Sequence, residues 1–364
     1  YQGIYGANLR NRNKRKALGE IIRRFRQGSE ALPDAAIIVD SSADITWCNR
    51  LARIELGLSW PEDMGRKVYD CINDKPFIKF YHANRFEQPL EIISPINPNK
   101  VLEFRVVPYE DDNLMVLIRD VTRLTQIEKM RKDFVANVSH ELKTPLTVIN
   151  GYLEMLPENG DMPAPMMKKA ISEMRSQSVR MQSLIEELLV LSRIEASTER
   201  AFEKLVNVPQ LLWQIQAEAE ALNRDKKHKI FFDISPILYV YGNENELRSA
   251  FSNLIFNAIN YTPNGGVIEV KWGLEGKQVK FSVKDNGYGI ASEHLDRITE
   301  RFYRVDKARL RTTGGSGLGL SIVKHVLSHH NSLLNIQSRI GKGSIFSCRF
   351  SPEQTYIVEK PVGS

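Results

Sequence analysis

The sequence predicts a multidomain α+β chain: a small α/β domain, a long antiparallel helical hairpin and a second α/β sandwich. Three observations predict it. The chain has 364 residues, more than one hydrophobic core ordinarily organises. Short apolar runs bounded by turn residues fill the regions on either side of residues 124–188. Within 124–188 apolar residues instead recur every three or four positions, the helical period. With hydrophobic residues at 42% and charged residues at 26%, the chain reads as folded domains and not as a disordered tail.

The first element is a basic helix over 14–28, ending at Gly28. Arg10, Arg12, Lys14, Arg15, Lys16, Arg23, Arg24 and Arg26 surround one acid, Glu20. Such a run is either a solvated helix face or a segment drawn to anionic lipid headgroups. No window has the apolar length of a spanning helix. The chain opens on Tyr1 without Met and shows no signal peptide. It is therefore expected to be the cytoplasmic fragment of an inner-membrane protein whose span lies upstream, with positive residues on the cytoplasmic flank. Cys48, Cys71 and Cys348 form no C-x-x-C pair, which argues against a disulfide framework or a zinc site and for a reducing compartment. The short, terminal basic run gives no support to nucleic-acid binding.

Next, Ala35–Asp40 and Ile45–Asn49 read as strands separated by the turn S-S-A-D. Helical spacing follows from Asn49 to a glycine stop at Gly57. Strands are predicted at Leu90–Ser94, Val101–Pro108 and Leu114–Arg119. From Leu124, residues Ile127, Met130, Phe134, Val138, Leu142, Leu146, Ile149, Leu153 and Leu156 give a helical seam. The run Pro157–Pro165 interrupts it, and Ile171, Met174, Ser178, Met181, Ile185 and Leu188 resume it. Two such arms bury too little alone, so a dimeric four-helix bundle is expected. After Ser197, strands are predicted at Lys229–Ile234, Val267–Trp272, Val279–Lys284 and Ile345–Phe350. Helices are predicted at Val208–Asn223, Glu244–Asn260 and Leu318–Ser328, with a frayed tail from Pro352. The expected domains are 1–28, 29–121, 122–198, 199–352 and the tail 353–364.

Chemistry-bearing residues cluster in four strings. In F-V-A-N-V-S-H-E-L-K-T-P-L, Phe134 to Leu146, His140 points away from the seam. An exposed imidazole offers one nitrogen for attack while the other holds a proton. Glu141 can take that proton. Thr144 is one turn further on the same face. Pro145 lacks a backbone donor and should bend the helix. Asn253 and Asn257 share a helix face, and amide oxygens suit a hard cation such as magnesium. Asp285-Asn286-Gly287-Tyr288-Gly289 follows a strand. Its carboxylate can accept from an exocyclic amine, and its glycines let the backbone turn close to a ligand. Thr313 to Leu320, T-G-G-S-G-L-G-L, opens a helix whose N–H groups can cradle phosphates. No Gly-Lys-Ser/Thr follows, so it is not a P-loop. Nor does it fit a dinucleotide fingerprint.

Two resemblances organise these strings. L-P-D-A before the first strand, with W-C-N-R-L-A leading into the Gly57 helix, resembles a PAS domain, here expected to bind no cofactor; its lone His82 reads as structural. The order of F-V-A-N-V-S-H-E-L-K-T-P-L, N-L-I-F-N-A-I-N-Y-T-P, D-N-G-Y-G, E-R-F-Y-R-V-D and G-G-S-G-L-G-L, over residues 134–320, resembles the HisKA domain plus GHKL-type ATPase of sensor histidine kinases. R-F-Y-R-V-D-K-A-R, G-G-S-G-L-G-L-S-I-V-K-H and W-P-E-D extend the likeness to the phosphate-regulon branch of that family. The resemblance implies a homodimer that moves the γ-phosphoryl group of ATP to His140 and then to an Asp of a response regulator, with Mg2+ as cofactor. Glu141 would be the acid–base partner, and Thr144 would act in dephosphorylation. Asn257 with Asn253 would hold the metal. Asp285 would read adenine beside Gly287, Gly289 and Tyr261. Gly315, Gly317, Leu318 and Gly319 would form the lid, and Arg304 or Lys307 would meet phosphate. Asn260 departs from the family pattern, in which a Lys often stands and reaches the phosphates. The alternatives are a GHKL ATPase of the chaperone, gyrase or mismatch-repair kind, argued against by residues 134–146, and an inactive PAS-containing scaffold, argued against by the intact His140, Asn257 and Asp285.

Overall fold

The computed structural model describes residues 20, 28, 30–110, 112–156, 163–196, 204–305 and 316–358. The predicted basic helix at 14–28 lies outside them, save for two of its residues. The chain divides into two units, Tyr1–Asp133 and Phe134–Ser364.

The first unit holds β1 (Ala35–Val39), β2 (Ile45–Cys48), α1 (Arg50–Leu56), α2 (Val68–Ile72), α3 (Lys75–Ala83), β3 (Leu90–Ile93), β4 (Val101–Tyr109) and β5 (Asn113–Asp120). One antiparallel sheet runs in the order β2-β1-β5-β4-β3. Leu102, Phe104 and Val106 alternate inward along β4, and Phe77 of α3 packs on Phe104 with ring centroids 5.0 Å apart. Period-two burial of this kind makes a one-sided core. Asn49 ties the sheet to α1. Its Oδ1 accepts from Ala52 N at 2.9 Å and Ala36 N at 3.1 Å, and its Nδ2 donates to Asp34 O at 3.0 Å. It is at once the helix cap and a bridge across the chain entry. Asn49→Ala is expected to destabilise this unit by about 3 kcal/mol, because a cap is lost and the buried Ala36 N and half-buried Asp34 O lose their partners. The urea midpoint of the unit measures it.

The helix α4 (Thr122–Glu154) begins in the first unit and continues into the second, running through Pro145 without interruption. α5 (Ala164–Ala196) is the other arm. Leu146, Leu153, Ile171 and Ile185 of the predicted seam remain exposed in the single chain, whereas Leu184 and Leu191 are buried. Then follow β6 (Leu205–Val206), α6 (Val208–Leu222), β7 (Lys229–Ile234), β8 (Leu238–Tyr241), α7 (Glu244–Tyr261), β9 (Val267–Glu275), β10 (Gln278–Asp285), α8 (Ser292–Leu295), α9 (Gly319–His329), β11 (Asn335–Arg339), β12 (Gly343–Phe350) and β13 (Thr355–Ile357). The main sheet runs β11-β12-β10-β9-β7, parallel between β7 and β9 and antiparallel elsewhere. The core beneath it gathers Phe251, Trp272, Phe281 and Phe350, and Trp272 Nε1 donates to Leu238 O at 3.0 Å.

A second sheet, β13-β8-β6, corrects the predicted tail. Thr355, Tyr356 and Ile357 pair with Val240, Tyr239 and Leu238, so ordered structure continues past Pro352. A 3-10 turn at Pro352–Gln354 leads into the strand. Gln354 Nε2 donates to His330 O at 2.8 Å, fixing that turn to the end of α9.

Candidate active site

The candidate side chains of the second unit lie on four supports: the first hairpin arm, α7, the end of β10 and the start of α9. On α4, His140 is exposed, and its ring has no hydrogen bond or ion pair among the described residues. Thr144 Oγ1 donates to His140 O at 3.1 Å, which keeps the hydroxyl on the histidine's face. Pro145 is buried. Having no N–H, it leaves the carbonyl of Glu141 without its usual helical donor. The carboxylate of Glu141 faces two guanidiniums, Arg180 Nη2 at 3.4 Å and Arg304 Nη1 at 4.0 Å.

On α7, Leu247, Ala250, Phe251, Leu254, Ile255, Ala258 and Ile259 are buried, a stripe at helical spacing against the sheet. Asn253, Asn257 and Tyr261 lie beside that stripe at intervals of four, so they share a second face. Asn253 Nδ2 donates to Ser249 O at 2.9 Å, which leaves its Oδ1 as the free acceptor. That oxygen looks at α9: a Cβ added to Gly319 would lie 2.5 Å from it. Only a glycine lets the start of α9 approach so closely.

Asp285 ends β10, where Val279, Phe281, Val283 and Asp285 alternate inward. The strand period thus carries the carboxylate to the helix side of the sheet. Its Oδ1 accepts from Gly287 N at 2.8 Å and Ser344 N at 3.3 Å. Burial raises its pKa above the ordinary carboxylate value, and those two N–H donors oppose the rise. Tyr288 N donates to Tyr261 O at 3.2 Å, closing the D-N-G-Y-G turn on the end of α7. Gly289 has φ +68°, and a Cβ there would meet Arg339 O at 2.0 Å. The Tyr261 phenol is pushed upward by burial and drawn down in part by the Arg304 charge.

In the segment expected to form the lid, Phe302 N donates to Gly317 O at 3.0 Å, and Leu318 N donates to Ser316 Oγ at 3.1 Å. Leu318 is fully buried. The Ser316 hydroxyl donates to Glu187 of α5. Burial raises the Glu187 pKa, and that hydroxyl partly offsets it. Phe134 packs on Phe302 with ring centroids 5.9 Å apart. Lys307 and Gly315 lie outside the described residues.

The structure thus joins Asn253 to Gly319, Tyr261 to the Asp285 turn, and Arg304 to Gly317 and Glu141. No hydrogen bond or ion pair among the described residues joins the His140 ring to the Asn253, Asn257 and Asp285 group. Four contacts had no sequence signal. Ser344 reaches Asp285 across 59 residues. Arg180 and Glu187, which carry no motif, meet Glu141 and Ser316. Lys226 Nζ donates to Ile259 O at 3.0 Å and to Asn260 Oδ1 at 3.1 Å, placing a cation at the departure from the family pattern.

Glu246, His329 and His330 also meet the spacing of a metal cluster. His330 Nε2 accepts from Asn243 N at 3.0 Å while Nδ1 donates to Val326 O at 2.8 Å. Both ring nitrogens are engaged, and none is left to ligate.

The chain matches three family models. Residues 23–120 match the PAS fold, 130–197 the His Kinase A (phospho-acceptor) domain, and 242–354 the Histidine kinase-, DNA gyrase B-, and HSP90-like ATPase. A phospho-acceptor hairpin leading into that ATPase defines a protein histidine kinase, with ATP as the nucleotide of its second unit. The chain belongs to the sensor histidine kinases of two-component systems and is PhoR-like. It is 45% identical to the phosphate regulon sensor protein PhoR of Pseudomonas aeruginosa, covering 99% of this chain and 81% of that one. It is 37% identical to PhoR of Haemophilus influenzae, covering 90% and 76%. It is 32% identical to the sensor-like histidine kinase SenX3 of Mycolicibacterium smegmatis, covering 93% and 88%. Among the described residues no helix is long and apolar enough to cross a membrane.

Proposed function

We propose that this kinase phosphorylates His140 and passes the group to an Asp of a PhoB-like response regulator, whose dephosphorylation it also promotes. The observation that carries the reading is the exposed His140 ring, without a hydrogen bond or ion pair among the described residues, in the same unit as the buried Asp285 turn. One ring nitrogen attacks the γ-phosphorus of ATP in line with the bond to ADP, which breaks as the N–P bond forms. The proton on the other ring nitrogen passes to Glu141. Asp285 Oδ2 accepts from the adenine amine. Gly287, Gly289 and Tyr261 shape that pocket, while Gly315, Gly317, Leu318 and Gly319 cover the phosphates, with Arg304 and Lys307 as cations. Asn257 and Asn253 would hold Mg2+, which would supply positive charge to the phosphates. Thr144 orients a water in dephosphorylation: its hydrogen is engaged with His140 O, and its lone pairs remain open.

The domain division 1–28, 29–121, 122–198 and a catalytic part from 199 fits this reading, with the catalytic part extended to 358. The exposed seam of α4 and α5 supports a homodimer closed as a four-helix bundle. A PAS domain ahead of the hairpin suits an input from a PhoU-like regulator and the phosphate transporter, with anchoring through a membrane segment upstream of Tyr1.

The test is incubation with γ-labelled ATP and magnesium. Acid-labile, alkali-stable label on the chain is expected, reduced at least tenfold in Asn257→Ala. A wild-type chain that binds ATP and takes no label leaves the plain ATPase or scaffold reading in place.

A further inference from the structure

The position of Glu141 poses a geometric problem. Consecutive residues on a helix do not face each other. Thr144 shares the face of His140, whereas Glu141 is turned about a quarter of the way round the helix. A glutamate also has several rotamers, most of which carry its carboxylate away from the preceding side chain. Nothing on α4 is bonded to that carboxylate. Something outside the helix has to aim it.

The opposite arm supplies that group. Arg180 Nη2 donates to Glu141 Oε2 at 3.4 Å, and the two side chains are only 30% and 29% exposed. Among the described residues Arg180 has no other partner. The second oxygen, Oε1, turns to Arg304 Nη1 at 4.0 Å. Arg304 approaches Gly317 as well, since a Cβ there would lie 3.3 Å from its Cγ, and its buried Nε has no hydrogen-bond partner among the described residues. One carboxylate therefore spans two guanidiniums with different freedoms. Arg180 belongs to the hairpin itself and moves with Glu141. Arg304 belongs to the segment beside Gly317, at the start of α9.

We infer that Arg180 is a positioning residue for phosphoryl transfer: it fixes the carboxylate of Glu141 on the side of the hairpin from which the proton of His140 is taken. The inference rests on the proposed roles of His140 and Glu141. When Arg304 turns to the phosphates, Arg180 remains as the holder of the carboxylate. A planar guanidinium fixes a carboxylate in direction as well as distance, which an ammonium does less well.

Arg180→Ala in the 364-residue chain is expected to lower kcat for autophosphorylation roughly tenfold with the KM for ATP within twofold, as loss of orientation does. Arg180→Lys is expected to recover part of that loss. In a Glu141→Gln background, Arg180→Ala is expected to add less than twofold, because the group it aims is gone. A merely structural role for Arg180 would give equal effects in both backgrounds, and circular dichroism of the variants separates misfolding from misaiming. Multiplicative effects, a rise in kcat, or a loss expressed in KM would overturn the assignment. If Glu141→Gln alone leaves kcat unchanged while His140→Gln abolishes label, the acid–base role of Glu141 has failed, and Arg180 as its positioning residue falls with it.

Discussion

His140→Gln is expected to abolish phosphate incorporation from γ-labelled ATP while leaving ATP affinity within twofold. The glutamine amide is of similar length but is no nucleophile, so the reaction loses its acceptor and not its geometry. The effect on binding should be small because the ring contacts none of the pocket residues in the described structure. It stands on an exposed helix face, while Asp285 and Tyr261 lie at the junction of β10 and α7. Thr144→Ala separates the two half-reactions. It keeps the nucleophile, so labelling should persist. It removes the hydroxyl that lies 3.1 Å from His140 O, so dephosphorylation of a response regulator should slow about tenfold. Retained acid-labile label in His140→Gln would move the acceptor elsewhere on the chain.

Asp285→Asn is expected to weaken ATP binding on the order of 100-fold while leaving the fold as stable or more so. The amide oxygen can still accept from Gly287 N and Ser344 N, so the turn survives. Its NH2 then points a donor where adenine also presents one, and neither is satisfied. The stability half follows from the sign of the pKa shift. Burial raises the Asp285 pKa, so the folded state holds the proton more tightly than the unfolded chain. Stability therefore falls as pH rises through the window between the ordinary carboxylate pKa and the raised one. Above that window the ionised group weighs against folding, and the neutral amide removes the burden. Nucleotide affinity in the wild type runs the other way, rising with pH as the carboxylate ionises. Fluorescent-nucleotide titration paired with thermal melting reads both halves; unchanged affinity would refute the adenine contact.

Legibility in the sequence tracked how local each determinant is. The strand Lys229–Ile234 and the start of α6 at Val208 coincide with their sequence positions, because alternation and an Asn-Val-Pro helix start need only neighbours. The two Asn of α7 were readable as one face because helix geometry alone places them together. The short helices α2 and α3 were passed over, although Asp74 caps α3 by accepting from Phe77 N at 3.0 Å; five and nine residues carry too little period to stand out. β8, β11 and β13 were missed for a different reason. β8 and β13 exist by pairing with each other across a long stretch of sequence, and β11, although it pairs with the neighbouring β12, carries a single apolar residue, Ile336, to mark a strand period. The same holds in the site. Asp285 was legible from its glycines, while Ser344, which fixes its carboxylate, was not. Arg180 and Glu187 look like ordinary helix charges until the fold brings Glu141 and Ser316 to them.

The strand β13 bears on how the second unit comes to be folded. Tyr356 pairs with Tyr239, and the ladder caps the otherwise open edge of β8. A growing chain that has reached α9 holds Asn253, Asp285 and Gly319 but still lacks the strand that covers that edge. Unpaired edges recruit other strands, and closing so long a loop is slow. That edge of β8 therefore stays unpaired until Thr355–Ile357 have been synthesised. A chain cut after Phe350 would prolong that state indefinitely, with its main sheet complete.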